Sequence, residues 1–439
     1  MGEGTSRVKR ILVINTPGLR NRGGMAVVTG AAKCLKQTMP EAQITVVCHH
    51  YARDGEELKR IFENQRVEVV KHPWYREHSS VALTFLHSGI SALFHLIYCV
   101  LGRVSGQIGL PFQTVYQRQD VILDLNTDSL NELYGRSILA FALFNILAAL
   151  VAGKPIVIGA ASIGVFEKTW TRFWAKLLLN RVALIMVREE VSKEYLATLS
   201  VNKPRVYLTA DHAFLLEAAA PERTKEILVR EGIDESELPM VGVAVSQLIS
   251  RFAFPDIKDP ETKYQIYITT MANVVDYIAQ ALGASIVLIP HGMDPSEDDR
   301  IISRSIYEKT GGSHKVHLIT GEYMAHELKG IIGRCDMFIG CRMHATIAST
   351  SMSVPTVAVV YGHKSHGLIG DMMAQEAYII DIEKYNSDQL SDQLKARIDD
   401  AWANRDAIRS ELRKRSEKAK EQALLNGRLI NDLLERKQR

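Results

Sequence analysis

Residues 335–366 read CDMFIGCRMHATIASTSMSVPTVAVVYGHKSH. The apolar run 337–339 predicts a buried strand, Gly340 a sharp turn, the small-residue stretch from about Met343 a helix, and 356–360 a second strand. Arg342 and His344 therefore fall where a strand hands over to a helix. There the unpaired backbone N–H groups and the helix dipole favour an anion. A guanidinium adds a planar fork for phosphate or carboxylate, and an imidazole can move a proton near neutral pH. Lys364 and His366 leave the end of the next strand, the rim on which parallel sheets hold ligands. An Arg-x-His at a helix start also serves as a cap or a structural ion pair, and the spacing alone leaves both readings open. Two cationic pairs converging on one crevice favour an anion site with proton chemistry.

Outward from this stretch the same alternation recurs. Short apolar, β-branched runs at 10–15, 43–48, 67–70, 121–125, 155–159, 183–187 and 206–208 are separated by helical segments. After a polar, Glu- and Lys-rich pause at about 215–239, runs follow at 240–245, 285–289, 316–318, 337–339, 356–360 and 377–380. This spacing implies parallel sheets with crossover helices. The fold class expected is α/β, with two doubly wound Rossmann-like domains facing a cleft. The boundaries expected are 1–215 for the first domain, 216–385 for the second, and 386–439 for a charged helical segment. In that last segment Ile408, Leu412, Leu425, Leu429 and Leu433 can form an apolar stripe at helical spacing.

A chain of 439 residues is long for one core. Its net charge of +3 carries no nucleic-acid footprint, and none is expected as a partner. The five cysteines are odd in number and scattered, with no C-x-x-C spacing, which fits reduced thiols. Cys335, Cys341 and His344 could be read as metal ligands, but a strand separates the first from the others, so no metal is expected. The polar N-terminus leads straight into a strand and reads as no signal peptide, so a cytoplasmic setting is expected. Residues 79–102 and 137–153 carry no Asp, Glu, Lys or Arg. The second run leads into a strand and reads as a core helix. The first, diluted by His87, Ser88, Gly89, Ser91 and His95, reads as a core or interface helix, with peripheral membrane contact as the expectation to test.

Other strand ends carry polar groups. After the first strand, NTPGLRNRGGMAVVTG places Gly18, Gly23 and Gly24 where backbone can approach a ligand closely. It is not G-x-G-x-x-G, so no dinucleotide or other cofactor is expected. In VILDLNTDSLNELYG, Asp124, Asn126 and Asp128 lie at and past a strand end, as sugar ligands, a base, or a helix cap. PIVIGAASIGVF and LIMVREEVSKEYL follow, with Arg188 again between a strand and a helix.

In order, the glycine turn, ASIGVF, VREEVS, TADHAF, IPHG with Asp298 and Asp299, and above all CRMHAT followed by YGHK resemble the polysaccharide pyruvyl transferase family. The resemblance covers about residues 10–380. It implies two Rossmann-like halves arranged as in GT-B glycosyltransferases, and transfer of a pyruvyl group from phosphoenolpyruvate to a glycan or lipid-linked sugar, releasing phosphate. It further implies that Arg188, Arg342 and His344 grip the donor, with Lys364 and His366 lining its pocket. Asn21, Gly23, Gly24, Asp124 and Asp128 would face the acceptor. Within this reading His344 moves the proton, while Arg188 and Arg342 stabilise the leaving phosphate. The first turn here lacks the family's usual Asp, and Val165 stands where a proline is usual; both departures bear on the acceptor. Two other readings share the architecture: a GT-B glycosyltransferase using a nucleotide sugar, and a non-catalytic glycan-binding relative.

Overall fold

The computed structural model describes residues 8–63, 65–72, 115–234, 239–295, 297–311, 313–362 and 365–438. The run 79–102 and Lys364 lie outside these.

The chain divides into two compact units: 1–18, 27–212 and 422–439 form the first, and 19–26 with 213–421 the second. The charged C-terminal segment is thus shared, ending in the first unit. The glycine turn at 21–24 groups with the second unit, away from the strand that precedes it.

In the first unit, seven strands run β3-β2-β1-β4-β5-β6-β7. They are β1 (Arg10–Ile14), β2 (Gln43–Cys48), β3 (Val67–Lys71), β4 (Val121–Asp124), β5 (Ile156–Ala161), β6 (Leu184–Val187) and β7 (Arg205–Leu208). Every pairing is parallel. The order reverses between β1 and β4, the switch point of a doubly wound sheet. Central strands such as VILD and IVIGAA are buried along their whole length, as they must be with helices on both faces. Helix Arg136–Val151 forms from the uncharged run, and Leu139, Leu143, Ile146 and Ala149 join Ile122, Ile158 and Ile185 in one core.

In the second unit, six strands run β12-β9-β8-β13-β14-β15. They are β8 (Met240–Ala244), β9 (Ser285–Leu288), β12 (Val316–Leu318), β13 (Met337–Gly340), β14 (Thr356–Val360) and β15 (Ile379–Asp381), all parallel. The switch point lies between β8 and β13. A two-stranded antiparallel hairpin, β10 (Met293–Asp294) and β11 (Glu297–Asp298), follows β9. Two-residue strands carry no readable periodicity, so this hairpin has no signal in the sequence. Helix starts are built by side chains: Asp259 accepts from Thr262 N at 2.8 Å ahead of Pro260, and Asn386 with Gln389 makes a capping box.

The C-terminal helix Arg405–Gln438 corrects one expectation. Ile408 and Leu412 are buried, but the distal buried line runs Ala419, Ala423, Asn426, Ile430 and Leu434 rather than Leu425, Leu429 and Leu433. Small residues set that register by close approach: a Cβ on Gly427 would lie 2.3 Å from Thr38 Oγ1 and 3.0 Å from the Cys34 carbonyl. Asn426 reaches the Ala210 carbonyl at 3.0 Å. A search for large apolar side chains passes over an interface made of Ala, Gly and Asn.

Candidate active site

Arg342 caps helix Met343–Ser351 at the carboxyl end of β13, beside the switch point. Its Nε and Nη2 donate to the two oxygens of Asp299 at 3.0 and 2.8 Å, a bidentate pair, and Nη1 stands 3.5 Å from Glu297. Asp299 is fully buried and also accepts from Gly292 N at 2.7 Å. Burial opposes the charge on Arg342, but Asp299 outweighs it and holds the guanidinium protonated. Burial pushes the Asp299 carboxyl upward in turn. Asp299 therefore fixes the fork in one orientation and leaves Nη1 as its loosest donor.

His344 lies one residue into the same helix, against the glycine turn. A Cβ on Gly23 would come within 2.5 Å of His344 Cγ and Nδ1, so only glycine lets the turn lie on the imidazole. The turn is held by Asn21, which bridges to Gly292 and accepts from Gly23 N at 3.0 Å. Gly292 is required on the other side, where a Cβ would lie 2.8 Å from Arg342 Nη2. Gly24 is buried within the first turn of the helix that follows.

Two further residues belong to this group and were not singled out from the sequence. His291 follows β9, the strand beside β8, and its carbonyl accepts from Arg22 N at 3.0 Å. Burial, reinforced by Arg342, His344 and Arg22, pushes its pKa down to about 4, so the imidazole is neutral at pH 7. It is only 5% exposed, and its Nδ1 has no hydrogen-bond partner among the described residues. Arg22 is buried, with Nη1 3.2 Å from the Leu19 carbonyl and Nη2 3.4 Å from Met293 sulfur. Their signals were the IPHG segment and the Arg within NRGG. Neither announces itself, because the two meet only through an antiparallel bridge between a loop and a hairpin. Two guanidiniums, Arg22 and Arg342, and two imidazoles, His291 and His344, gather at a helix N-terminus, a setting built for an anion.

The other sequence-derived residues are placed elsewhere. Arg188 sits at the end of β6 in the first unit and is wholly buried. Its Nε donates to Ser162 Oγ at 2.8 Å, Nη1 to Asp211 and Nη2 to Asp128. Ser162 and Ser192 both donate to Glu189, which completes the network. Every nitrogen of this guanidinium is committed to a carboxylate or hydroxyl of its own unit, so it does not present a fork to a donor. Asp128 is correspondingly Arg188's partner. Asp124 is fully buried, accepting from Asn15 Nδ2 at 2.9 Å and from Asn126 N at 2.8 Å. Burial raises its pKa to about 7, against those hydrogen bonds. A carboxyl with no exposed surface organises the β1–β4 switch point rather than meeting an acceptor directly.

His366 is engaged near β15. Its Nδ1 lies 2.7 Å from Glu376 and its Nε2 2.8 Å from Asp381, so both nitrogens are spent on carboxylates near β15. Of the five donor residues expected, the structure brings Arg342 and His344 together, and Asn21, Gly23 and Gly24 join them.

The family model for polysaccharide pyruvyl transferase matches residues 21–363. A curated relative, the amylovoran biosynthesis protein AmsJ of Erwinia amylovora, is 25% identical over 261 residues, 59% of this chain and 60% of that protein. Among solved structures, the UDP-GlcNAc 2-epimerase of Neisseria meningitidis bound to UDP-GlcNAc superposes with a TM-score of 0.58 at 12% identity, covering 98% of this chain and 100% of that one. Glycyrrhiza uralensis UGT73P12, complexed with glycyrrhetinic acid 3-O-monoglucuronide, gives 0.58 at 10% identity, covering 98% and 97%. At such identities these likenesses show the fold alone: two Rossmann-like domains of the GT-B type. The matched span takes in the glycine turn, Arg188, His291, Asp299, Arg342 and His344, and this chain belongs to the polysaccharide pyruvyl transferase family.

Proposed function

We propose that the protein transfers a pyruvyl group from phosphoenolpyruvate to a sugar of a polysaccharide or glycan precursor and releases phosphate. The observation that carries this reading is the cluster of Arg22, His291, Arg342 and His344 in the second unit of a chain of this family. Phosphoenolpyruvate presents a phosphate and a carboxylate, and two guanidiniums beside a helix N-terminus match that charge. The relative's involvement in amylovoran biosynthesis fits a polysaccharide acceptor.

The chemistry has four proton and bond events. The donor methylene gains a proton and becomes a methyl group, leaving cationic character at the second carbon. An acceptor hydroxyl attacks that carbon and gives up its proton. The carbon–oxygen bond to phosphate breaks, and phosphate leaves with the electron pair. A second hydroxyl then closes the ketal and gives its proton to phosphate. His344 is assigned the proton transfer. His291, neutral at pH 7, offers an acceptor nitrogen beside it, and Arg342 with Arg22 stabilises charge on the leaving phosphate. Arg188 acts through structure, holding Asp128, Asp211 and the Ser162 turn in place.

Thermal unfolding with phosphoenolpyruvate or with nucleotide sugars is the test, since a ligand that binds only the native state raises apparent stability. Phosphoenolpyruvate should raise the midpoint of the wild type, and that of Arg342→Lys much less at the same concentration. A rise with a nucleotide sugar and none with phosphoenolpyruvate would overturn the donor assignment.

A further inference from the structure

Six of the ten large hydrophobic side chains exposed among the described residues fall between positions 133 and 174: Leu133, Ile138, Val165, Trp170, Phe173 and Trp174. They lie on elements tied together. Glu132 accepts from Glu167 N at 2.8 Å, Lys168 N at 3.0 Å and Thr171 Oγ1 at 2.5 Å, and Gly164 N donates to the Leu130 carbonyl at 2.9 Å. Helix Thr169–Leu179 packs on helix Arg136–Val151. Its inner face, Thr171, Ala175, Leu178 and Leu179, is buried, and the last three join the core. Trp170, Phe173 and Trp174 follow i, i+3, i+4 spacing on the outer face, 43%, 58% and 42% exposed. A surface helix needs one apolar face, and this helix has two.

Charge says what covers the second. Lys168, Arg172, Lys176 and Arg181 are exposed around the aromatics, against Glu167 as the single acid between 165 and 181. Two copies joined through this face would bring like charges together. Phe173 and Trp174 meet edge to face at 80° rather than forming one flat stacking surface. Trp and Phe ringed by Lys and Arg are the combination that seats in the headgroup region of an anionic bilayer.

We propose that the outer face of helix Thr169–Leu179, with Leu133, Ile138 and Val165, docks the protein reversibly on an anionic lipid surface. The aromatics enter the interface and the cations meet the headgroups. The proposal rests on exposure and charge and is independent of the donor chemistry.

Sedimentation of the full chain with vesicles tests it. The wild type should pellet with phosphatidylcholine vesicles containing about 30% phosphatidylserine, and far less with phosphatidylcholine alone. Trp170→Ser with Phe173→Ser and Trp174→Ser should weaken pelleting by about tenfold or more, with an unchanged melting midpoint. Lys168→Glu with Lys176→Glu, which leaves every aromatic in place, should do the same and guards against a folding defect in the first variant. Unchanged pelleting in either folded variant would overturn the proposal, because the contact would then lie elsewhere. Pelleting that is equal on neutral vesicles, or absent, would overturn it as well. So would a wild-type dimer that the aromatic variant converts to a monomer, which would assign the face to a second copy.

Discussion

Arg188 and Arg342 arise from the same local signal, an arginine between a buried strand and a helix, and the fold gives them opposite fates. Arg188 follows β6, flanked by β5 and β7 and away from the reversal in strand order. Its side chain has no exposure, and all its nitrogens are taken by Ser162, Asp128 and Asp211. Arg342 follows β13 at the switch between β8 and β13. It keeps 14% exposure, two short bonds to one carboxylate, and a third nitrogen 3.5 Å from its nearest acid. A switch point leaves a crevice over the strand ends, and a strand inside the run does not. Position in the sheet, more than the motif, separates an arginine that organises its unit from one available to a ligand.

The sharpest way to break this comparison is to remove each guanidinium. Arg188→Leu leaves Asp211 and Glu189 buried beside Asp128 without their counter-charge, and removing one partner of a buried pair costs about 3–5 kcal/mol. Urea unfolding should show that loss, or no folded protein at all. Arg342→Lys keeps a charge near Asp299 and loses the fork. Its unfolding curve should stay close to the wild type, while affinity for phosphoenolpyruvate falls by about tenfold to a hundredfold, as loss of about 1.5–3 kcal/mol implies. A stable Arg188→Leu protein without donor affinity would reverse the two roles.

His344→Gln sharpens the picture at the second unit. It retains hydrogen bonding but cannot serve as acid or base, so turnover should fall about 10²–10⁴-fold with donor affinity changed much less. Gly23→Ala should imitate it without touching the imidazole's chemistry, because the added Cβ must displace His344. Lost affinity with normal turnover at saturation in His344→Gln would make the residue a clamp only.

Acidification weighs the two units' buried groups against each other. His49 and His212 in the first unit and His291 in the second are each depressed to about 4 by burial. Each contributes stability at pH 7 that is lost as pH falls from about 6.5 towards 4, because the unfolded chain takes up protons the folded one refuses. Asp124 works the other way: its pKa is raised to about 7, so its contribution is fully present below about 4 and lost as pH rises to 7. Three depressed histidines favour a fall in stability on acidification, opposed by Asp124 and by the raised groups Asp299, Glu189 and His366. The expected reading is a lower urea midpoint at pH 5 than at pH 7. Asp124→Asn should steepen that fall, since it removes an opposing slope.

Most of the fold was legible, and of the candidate cluster Arg342, His344 and the glycine turn were. Thirteen strands of β-branched residues announce themselves by burial and spacing, and the family motif carries Arg342 and His344. Hidden from the sequence was the partnering of charges. Nothing in V-R-E-E says that Asp211, 23 positions on, will consume the arginine. Nothing in N-R-G-G says that this turn leaves its own strand and lies on His344. The hairpin that brings His291 and Asp299 to Arg342 has strands too short to show a period. Long-range pairing through loops carries no local pattern, and the geometry of the candidate site is made of loops.

His366 gives the smallest effect. It follows the same strand-end logic as Arg342, yet both ring nitrogens are held by Glu376 and Asp381. Burial works against its charge, but the two carboxylates outweigh that and raise its pKa above the ordinary histidine value. Such a pair stabilises the folded state fully below about 6.5 and loses that contribution as pH rises through the folded-state pKa. With Glu376 largely exposed, the interaction is screened and worth about 0–1 kcal/mol. His366→Gln should therefore lower the urea midpoint slightly at pH 6, scarcely at pH 8, and leave phosphoenolpyruvate affinity within about twofold, a change of under 0.5 kcal/mol. A tenfold loss of affinity with the pH 8 midpoint unchanged would restore His366 to the donor pocket. The rule drawn from Arg188 and Arg342 would then need a third case.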